Sequence, residues 1–172
     1  MKEVVGLLAR GVDVYDNYIM PSDFVIRLQN PHSDPAQAML DALWDEIQHR
    51  YEFTAPTDMH PDDFTNPRAA FWVAMVQDTP AGSIGLMPLP QDIAELNAMY
   101  VTPEFRGAGI AQGLIQAREE HARQHDFTVV PLRAGSQQPE AVRFYEKMGF
   151  NRIPCFGKYA ESSNSWCFEK QL

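Results

Sequence analysis

The sequence predicts a mixed α/β domain, with a mostly antiparallel sheet at its beginning and helices crossing it. Three observations carry that expectation. Short β-prone runs at residues 24–28, 71–76 and 83–87 follow one another, and the last two are separated by turn chemistry. Apolar residues recur at helical spacing twice, once from Met39 onward and once from Ile110 onward. Between the two helical stretches a strand-like segment, residues 94–101, runs through a glycine-bearing turn into the second of them.

Residues 1–23 do not resolve into one element. An extra strand, a partner-contacting arm and a loose extension all suit the apolar run from Val4 to Leu8 and the rough alternation after it. The first core strand is residues 24–28. Asp34 suits a helix N-cap and Pro35 the first helical position. Met39, Leu40, Leu43, Trp44 and Ile47 then cover one face of a helix. Residues 51–67 hold three prolines and several aspartates and form a loop with room for a helical turn. Residues 71–76 and 83–87 make a hairpin around Asp78, Pro80 and Gly82. Residues 94–101 are the fourth strand and residues 108–124 the strongest helix. A fifth strand, residues 128–134, contains Pro131, which removes a ladder donor and suggests an edge, a bulge or a splayed position. A short helix at 139–148 and strands at 150–154 and 165–169 complete the domain, with a polar, aromatic-bearing loop between the last two.

The chain has 172 residues, enough for one domain with a sizeable core. Apolar residues make up 45% and charged residues 22%, an ordinary globular balance. No apolar run approaches the ~20 residues of a membrane helix. The start is a poor secretory leader, because Glu3 interrupts the basic region and Arg10 cuts the apolar run short. A cytoplasmic location is therefore expected, with Cys155 and Cys167 as reduced small hydrophobes. The net charge of −9 and the lack of a basic stripe argue against nucleic acid. An acidic field mildly favours a cationic or amine substrate.

The strand, turn and helix around Arg106, Gly107, Ala108, Gly109, Ile110 and Ala111 describe an anion site. A helix start supplies up to four unpaired N–H groups and a favourable dipole. Gly107 and Gly109 let the backbone turn tightly and approach a ligand closely. Arg106 adds positive charge. The run is not a P-loop, because the Lys and the Ser or Thr that should follow are missing. Nor is it the dinucleotide fingerprint, whose spacing differs and whose acidic partner would end a second strand.

Residues 95–150 resemble the core of the GCN5-related N-acetyltransferase (GNAT) superfamily. The family's acetyl-CoA signature is Arg or Gln, two residues, Gly, one residue, then Gly or Ala, matched here by Arg106, Gly109 and Ala111. A second match is the run Phe144, Tyr145, Glu146, Lys147, Met148, Gly149 and Phe150. The resemblance covers about residues 24–170 and is similar to a subgroup of small acetyltransferases. It implies a central sheet splayed between strands 4 and 5, with the domain at 24–172 behind an extension at 1–23. It implies acetyl-CoA as cosubstrate, with backbone groups of Met99 and Val101 on the pantetheine amides. The N–H groups from Arg106 to Ala111 would hold the pyrophosphate, while Gln138 touches the cofactor and Phe144 lines its groove.

Acyl transfer to an amine calls for a base to take a proton from nitrogen, an acid near the leaving sulfur and a donor for the oxyanion. The resemblance assigns the acid to Tyr145 and the base to Glu95 at the start of the fourth strand. A free glutamate, pKa about 4.3, is too acidic for that task unless burial or a water relay intervenes. Asn97 shares the face of Glu95 by period-two alternation and is a candidate substrate contact. Trp72 and Tyr159 are further candidates for the acceptor pocket, and Tyr51, Glu52 and Phe53 for its opposite wall. The expected activity is acetylation of a primary amine of a small molecule. Peptide acetylation and a non-catalytic acyl-CoA-binding role are the alternatives, and a homodimer is compatible with the domain's size. No metal is expected. His121 and His125 share a helix face without the zincin pattern and are read as a solvated helix end. Glu119 and Glu120 are read as a wet helix face.

Overall fold

The computed structural model describes residues 24–172; the expectations for residues 1–23 lie outside the described residues. Seven strands, β1 (Phe24–Leu28), β2 (Ala70–Val76), β3 (Thr79–Leu89), β4 (Ile93–Val101), β5 (Val129–Gly135), β6 (Asn151–Ile153) and β7 (Ser165–Gln171), form one sheet in the order β1-β2-β3-β4-β5-β7-β6. Every neighbouring pair is antiparallel except β4 and β5. Among the described residues three α-helices pack on the sheet: α1 (Asp34–Tyr51), α2 (Ile110–Gln124) and α3 (Pro139–Lys147).

The two faces carry separate cores. Phe24, Ile26, Trp72, Leu86, Leu96 and Leu132 pack with Ile110, Leu114 and Ile115 of α2 and with Val142 and Tyr145 of α3. Phe71, Val73, Met75 and Tyr100 face the other way and pack against Ala36, Met39 and Leu40 of α1. The 3₁₀ turn Pro61–Phe64 adds to this second layer: a Cβ on Gly85 would overlap the Phe64 ring at 2.4 Å. A side chain there would force the Phe64 ring to move.

Several local expectations change. Ser33, not Asp34, is the N-cap of α1, and its side chain makes no capping bond. β3 continues through Pro88 to Leu89, and Gln91 and Asp92 turn the chain with φ of 63° and 55°. Glu119 is not a wet residue. It is buried and binds Lys170 at 2.7 Å and Arg123 at 3.2 Å. His121 is no solvated end group either. It stacks on His125 at 3.9 Å, packs edge-on to Trp72, and is driven by burial down to a pKa of about 4.

The cysteines depart most from expectation. Cys155 and Cys167 form a disulfide, with Cα atoms 5.0 Å apart. Ile153 of β6 pairs with Cys167 of β7, so Cys155, two residues past the end of β6, lies within reach of Cys167. A sequence separation of 12 hides that proximity. The cystine also removes reduced thiols as an argument for a cytoplasmic location.

Candidate active site

The site is built on β4. Its ladder with β3 has one irregularity, between Ser83 and Gly85. Opposite that point Ala98 adopts a left-handed conformation, φ 50°. The extra residue resets the alternation: Leu96 belongs to the core under α2, whereas Ala98 packs against the core under α1. Buried Ser83 donates its hydroxyl to the Ala98 carbonyl at 2.8 Å and holds the bulge from β3. A left-handed non-glycine residue costs about 1–2 kcal/mol, and a hydrogen bond of this kind offsets about 1 kcal/mol.

On its other side β4 is mostly open. It pairs with β5 only at Ile93 with Val129 and at Leu96 with Leu132. From Asn97 to the end of β4 no residue pairs with β5, so the sheet splays between strands 4 and 5. Pro131, which cannot donate, stands between the two β5 residues that do pair. Met99 and Val101 lie on the open stretch, and their side chains pack toward α2. Unpaired strand backbone of this kind suits an extended ligand that carries amides. The Val101 carbonyl is already engaged, accepting the Nε–H of Arg106 at 2.9 Å.

At the end of β4 the chain turns through Gly107 and Gly109, with φ of 79° and 82°, into α2. The first backbone bond of α2 runs from the Gly113 N–H to the Gly109 carbonyl at 3.0 Å. The N–H groups of Ile110, Ala111 and Gln112 therefore have no acceptor within the helix. A Cβ on Gly107 or Gly109 would meet no protein atom within 4 Å. Half-buried Ala108 lies between the two glycines. The turn is an open cradle of donors at the positive end of a 15-residue helix.

Arg106 has a different position from the one expected. Its N–H donates to the Pro103 carbonyl at 3.3 Å, and its guanidinium binds Val101 and the carboxylate of Glu46. It braces the turn, and Glu46 offsets its charge. The same Glu46 binds Arg50 at 3.1 Å, and Arg50 also reaches Glu140 and the Gln137 carbonyl. This chain of charges ties α1 to the glycine turn and to the start of α3. Tyr51 joins it by accepting the Gln137 N–H at 3.3 Å.

Glu95 and Asn97 lie on the face of β4 away from α2. Burial pushes the Glu95 carboxyl above its ordinary value, and the charges of Lys158 and Arg118 pull it partly back. The Asn97 amide donates to the Met87 sulfur at 2.9 Å. Because Leu96 pairs with Leu132, Arg133 of β5 shares the face of Asn97. Tyr159, on the 3₁₀ turn Gly157–Tyr159, lies against this face, with the Arg133 guanidinium 5.4 Å from its ring. Gln138 is the N-cap of α3 and makes no side-chain capping bond. Half-buried Phe144 packs on the core beside Tyr145.

Tyr145 is buried among Phe144, Phe150 and Phe168. Burial raises its phenol far above the ordinary value, so the hydroxyl keeps its proton and remains a donor. Trp72 is a correction. It is buried in the α2 core on the face opposite Glu95 and cannot line an acceptor pocket there.

Sequence reasoning missed Arg118. It is fully buried on α2, donates to the carbonyls of Gly85 (3.2 Å) and Ala94, and has an Nη1 without a partner. Desolvation lowers its pKa to about 9, which leaves it charged at neutral pH. It supports β4 at the residue before Glu95. The available signal was its place four residues beyond Leu114 on an apolar stripe.

An open wedge between two parallel strands, with a turn of free N–H groups at its mouth and a half-buried carboxylate on its face, is an arrangement suited to acyl transfer. The family model described as the acetyltransferase (GNAT) family matches residues 36–150. The uncharacterized N-acetyltransferase YjgM of Escherichia coli K12 is 30% identical over 149 residues, 80% of this chain and 87% of that protein. The peptidyl-lysine N-acetyltransferase YjaB of Salmonella typhimurium is 32% identical over 115 residues, 64% of this chain and 68% of that one. Relatives from mouse, human and Methanocaldococcus jannaschii are longer, and the chain spans half their length or less. A putative acyl-CoA N-acyltransferase from Klebsiella pneumoniae has the same fold, with a TM-score of 0.72 at 23% identity over 87% of this chain and 97% of that one. The chain belongs to the GNAT family and is an acetyl-CoA-dependent acetyltransferase.

Proposed function

We propose that the protein acetylates a primary amine of a small molecule by direct attack, with amine and acetyl-CoA bound together. The observation that carries this reading is Glu95: a carboxylate made more basic by burial, two residues from where β4 parts from β5. The unpaired backbone at Met99 and Val101 suits the pantetheine arm. The free N–H groups at the start of α2, with those of Gly107, Ala108 and Gly109, suit the pyrophosphate. Gln138 and Phe144 are the cofactor contacts proposed from the α3 side.

In the reaction a C–N bond forms as the C–S bond breaks. Glu95 takes the proton that nitrogen loses, directly or through one water. A backbone N–H of β4 beside the Ala98 bulge donates to the developing oxyanion. Tyr145 donates a hydrogen bond to the departing sulfur. Its high proton affinity favours that bond over complete transfer, and the proton completing the thiol comes finally from solvent. Asn97 orients the acceptor, and Tyr159 closes over it.

The relative named as a peptidyl-lysine acetyltransferase supports a second acceptor class. Calorimetric titration with acetyl-CoA, followed by steady-state assays on small amines and on lysine peptides, tests both readings. Saturable binding near one ligand per chain with turnover of small amines is the expected result. Turnover confined to peptides would select the second class, and absence of acetyl-CoA binding would overturn both.

A further inference from the structure

The acceptor face places two cations around one aromatic ring beside Glu95. Net charge is −9 overall, and Arg50, Arg68, Arg106, Arg123 and Lys170 each reach a carboxylate. Arg133 and Lys158, like Arg27, Arg143, Lys147 and Arg152, form no ion pair among the described residues; what sets these two apart is that both lie on the Tyr159 ring. Arg133 is half-buried, with its Nε–H on the Ser165 hydroxyl at 2.8 Å and its Nη2 on the Asn164 carbonyl at a long 3.4 Å. Those bonds fix the guanidinium without neutralising it. Lys158 lies over the same Tyr159 ring, its Nζ 5.2 Å from the centroid.

These cations lie on the same side of the sheet as Glu95. Arg133 lies next to Leu132, the last β5 residue paired with β4, and shares a face with Asn97 and Glu95. Lys158 is close enough for its field to reach Glu95. One side of the acceptor face therefore offers an anion for an amine, and the other offers two unneutralised cations around an aromatic ring.

We infer that the acceptor is an amino acid or a close analogue, its amine toward Glu95 and its carboxylate read by Arg133 and Lys158. The inference rests on the acetyltransfer reading above and narrows its substrate class. A guanidinium held partly out of water gains most from a carboxylate that matches its fork. A diamine would place its second ammonium among like charges. Lys158, exposed on the 3₁₀ turn, adds charge with little geometric demand.

The test uses matched probes: a set of amino acids, their carboxamides and their decarboxylated amines, assayed with saturating acetyl-CoA. For at least one set, kcat/KM for the acid should exceed that for the carboxamide by about tenfold or more. Lys158→Gln and Arg133→Gln should each shrink that ratio, chiefly through KM for the acid, and Arg133→Lys should restore part of it. Should Arg133→Gln fail to fold, the exposed Lys158→Gln still decides. Equal or better use of carboxamides and plain amines would overturn the inference and leave acetyltransfer intact. An unchanged ratio in the folded variants would also overturn it. No acetylation of any probe by protein that binds acetyl-CoA would overturn the inference, and turnover of lysine peptides alone would then select the second acceptor class.

Discussion

Gly109→Glu is the sharpest probe of the cradle. Gly109 has φ 82°, and a Cβ there would touch no protein atom. The variant's effect on the protein itself is therefore backbone strain of about 1–2 kcal/mol. A carboxylate at a helix start is favourable and offsets about 0.5 kcal/mol of this. At about 2–4 °C per kcal/mol for a chain of this size, Tm should fall by roughly 1–6 °C. Binding should suffer far more. A carboxylate ~6 Å from a doubly charged diphosphate, at an effective dielectric of about 40, is repelled by about 3 kcal/mol. That corresponds to roughly a hundredfold loss of acetyl-CoA affinity, read by calorimetry. Acetyl-pantetheine, which has no diphosphate, should lose none through this repulsion. Gly149→Ala is the control: φ is 88°, the new Cβ meets Lys170 only at an ordinary 3.7 Å, and the strain is the same. It should lower Tm and leave affinity alone. A folded Gly109→Glu protein that binds acetyl-CoA within about twofold of the parent would refute the cradle.

Glu95→Gln should remove the acidic limb of the kcat/KM profile, because the raised carboxyl loses its proton along that limb. Stability should move the other way. With its folded pKa raised, the ionised carboxylate is destabilising at neutral pH, and this cost grows as pH rises from the ordinary carboxylate value through the folded one. The variant should melt higher than the parent at pH 7 and equally at low pH; a lower Tm at pH 7 would contradict the burial argument. Tyr145→Phe should lower kcat with little change in KM for acetyl-CoA, and equal turnover at saturation would remove its role at the sulfur. Cys155→Ser should cost about 3 kcal/mol by loop-closure entropy, a Tm drop of roughly 6–12 °C. A reductant should reproduce that drop in the parent, and an unchanged Tm in both would speak against the cystine.

The glycine turn and the helix after it were legible because their signals are local. A glycine pair, a strand before it and an apolar periodicity after it all fall within about thirty residues, and each restricts the backbone directly. Glu95 and Asn97 could be placed on one face because alternation holds up to the bulge at Ala98. Trp72 could not, because every residue of β2 is buried and alternation marks neither face. Glu119 looked wet because its partner Lys170 is 51 residues away. Arg118 was hidden for the same reason: its acceptors are carbonyls on β3 and β4, brought together only by the sheet. What sequence conceals here is consistently the far partner of a long-range contact.

The incomplete seam between β4 and β5 bears on the protein's lifetime as well as its chemistry. A sheet parted in its interior exposes two additional edges, the kind of surface that recruits stray strands. A pantetheine chain laid along β4 would serve as a surrogate strand and mask one of them. The folded state would then gain RT ln(1 + [L]/Kd), about 2.7 kcal/mol at a hundredfold excess over Kd. Persistence of the enzyme would rise and fall with the supply of acetyl-CoA, so that starvation for the donor would thin the catalyst along with its reaction.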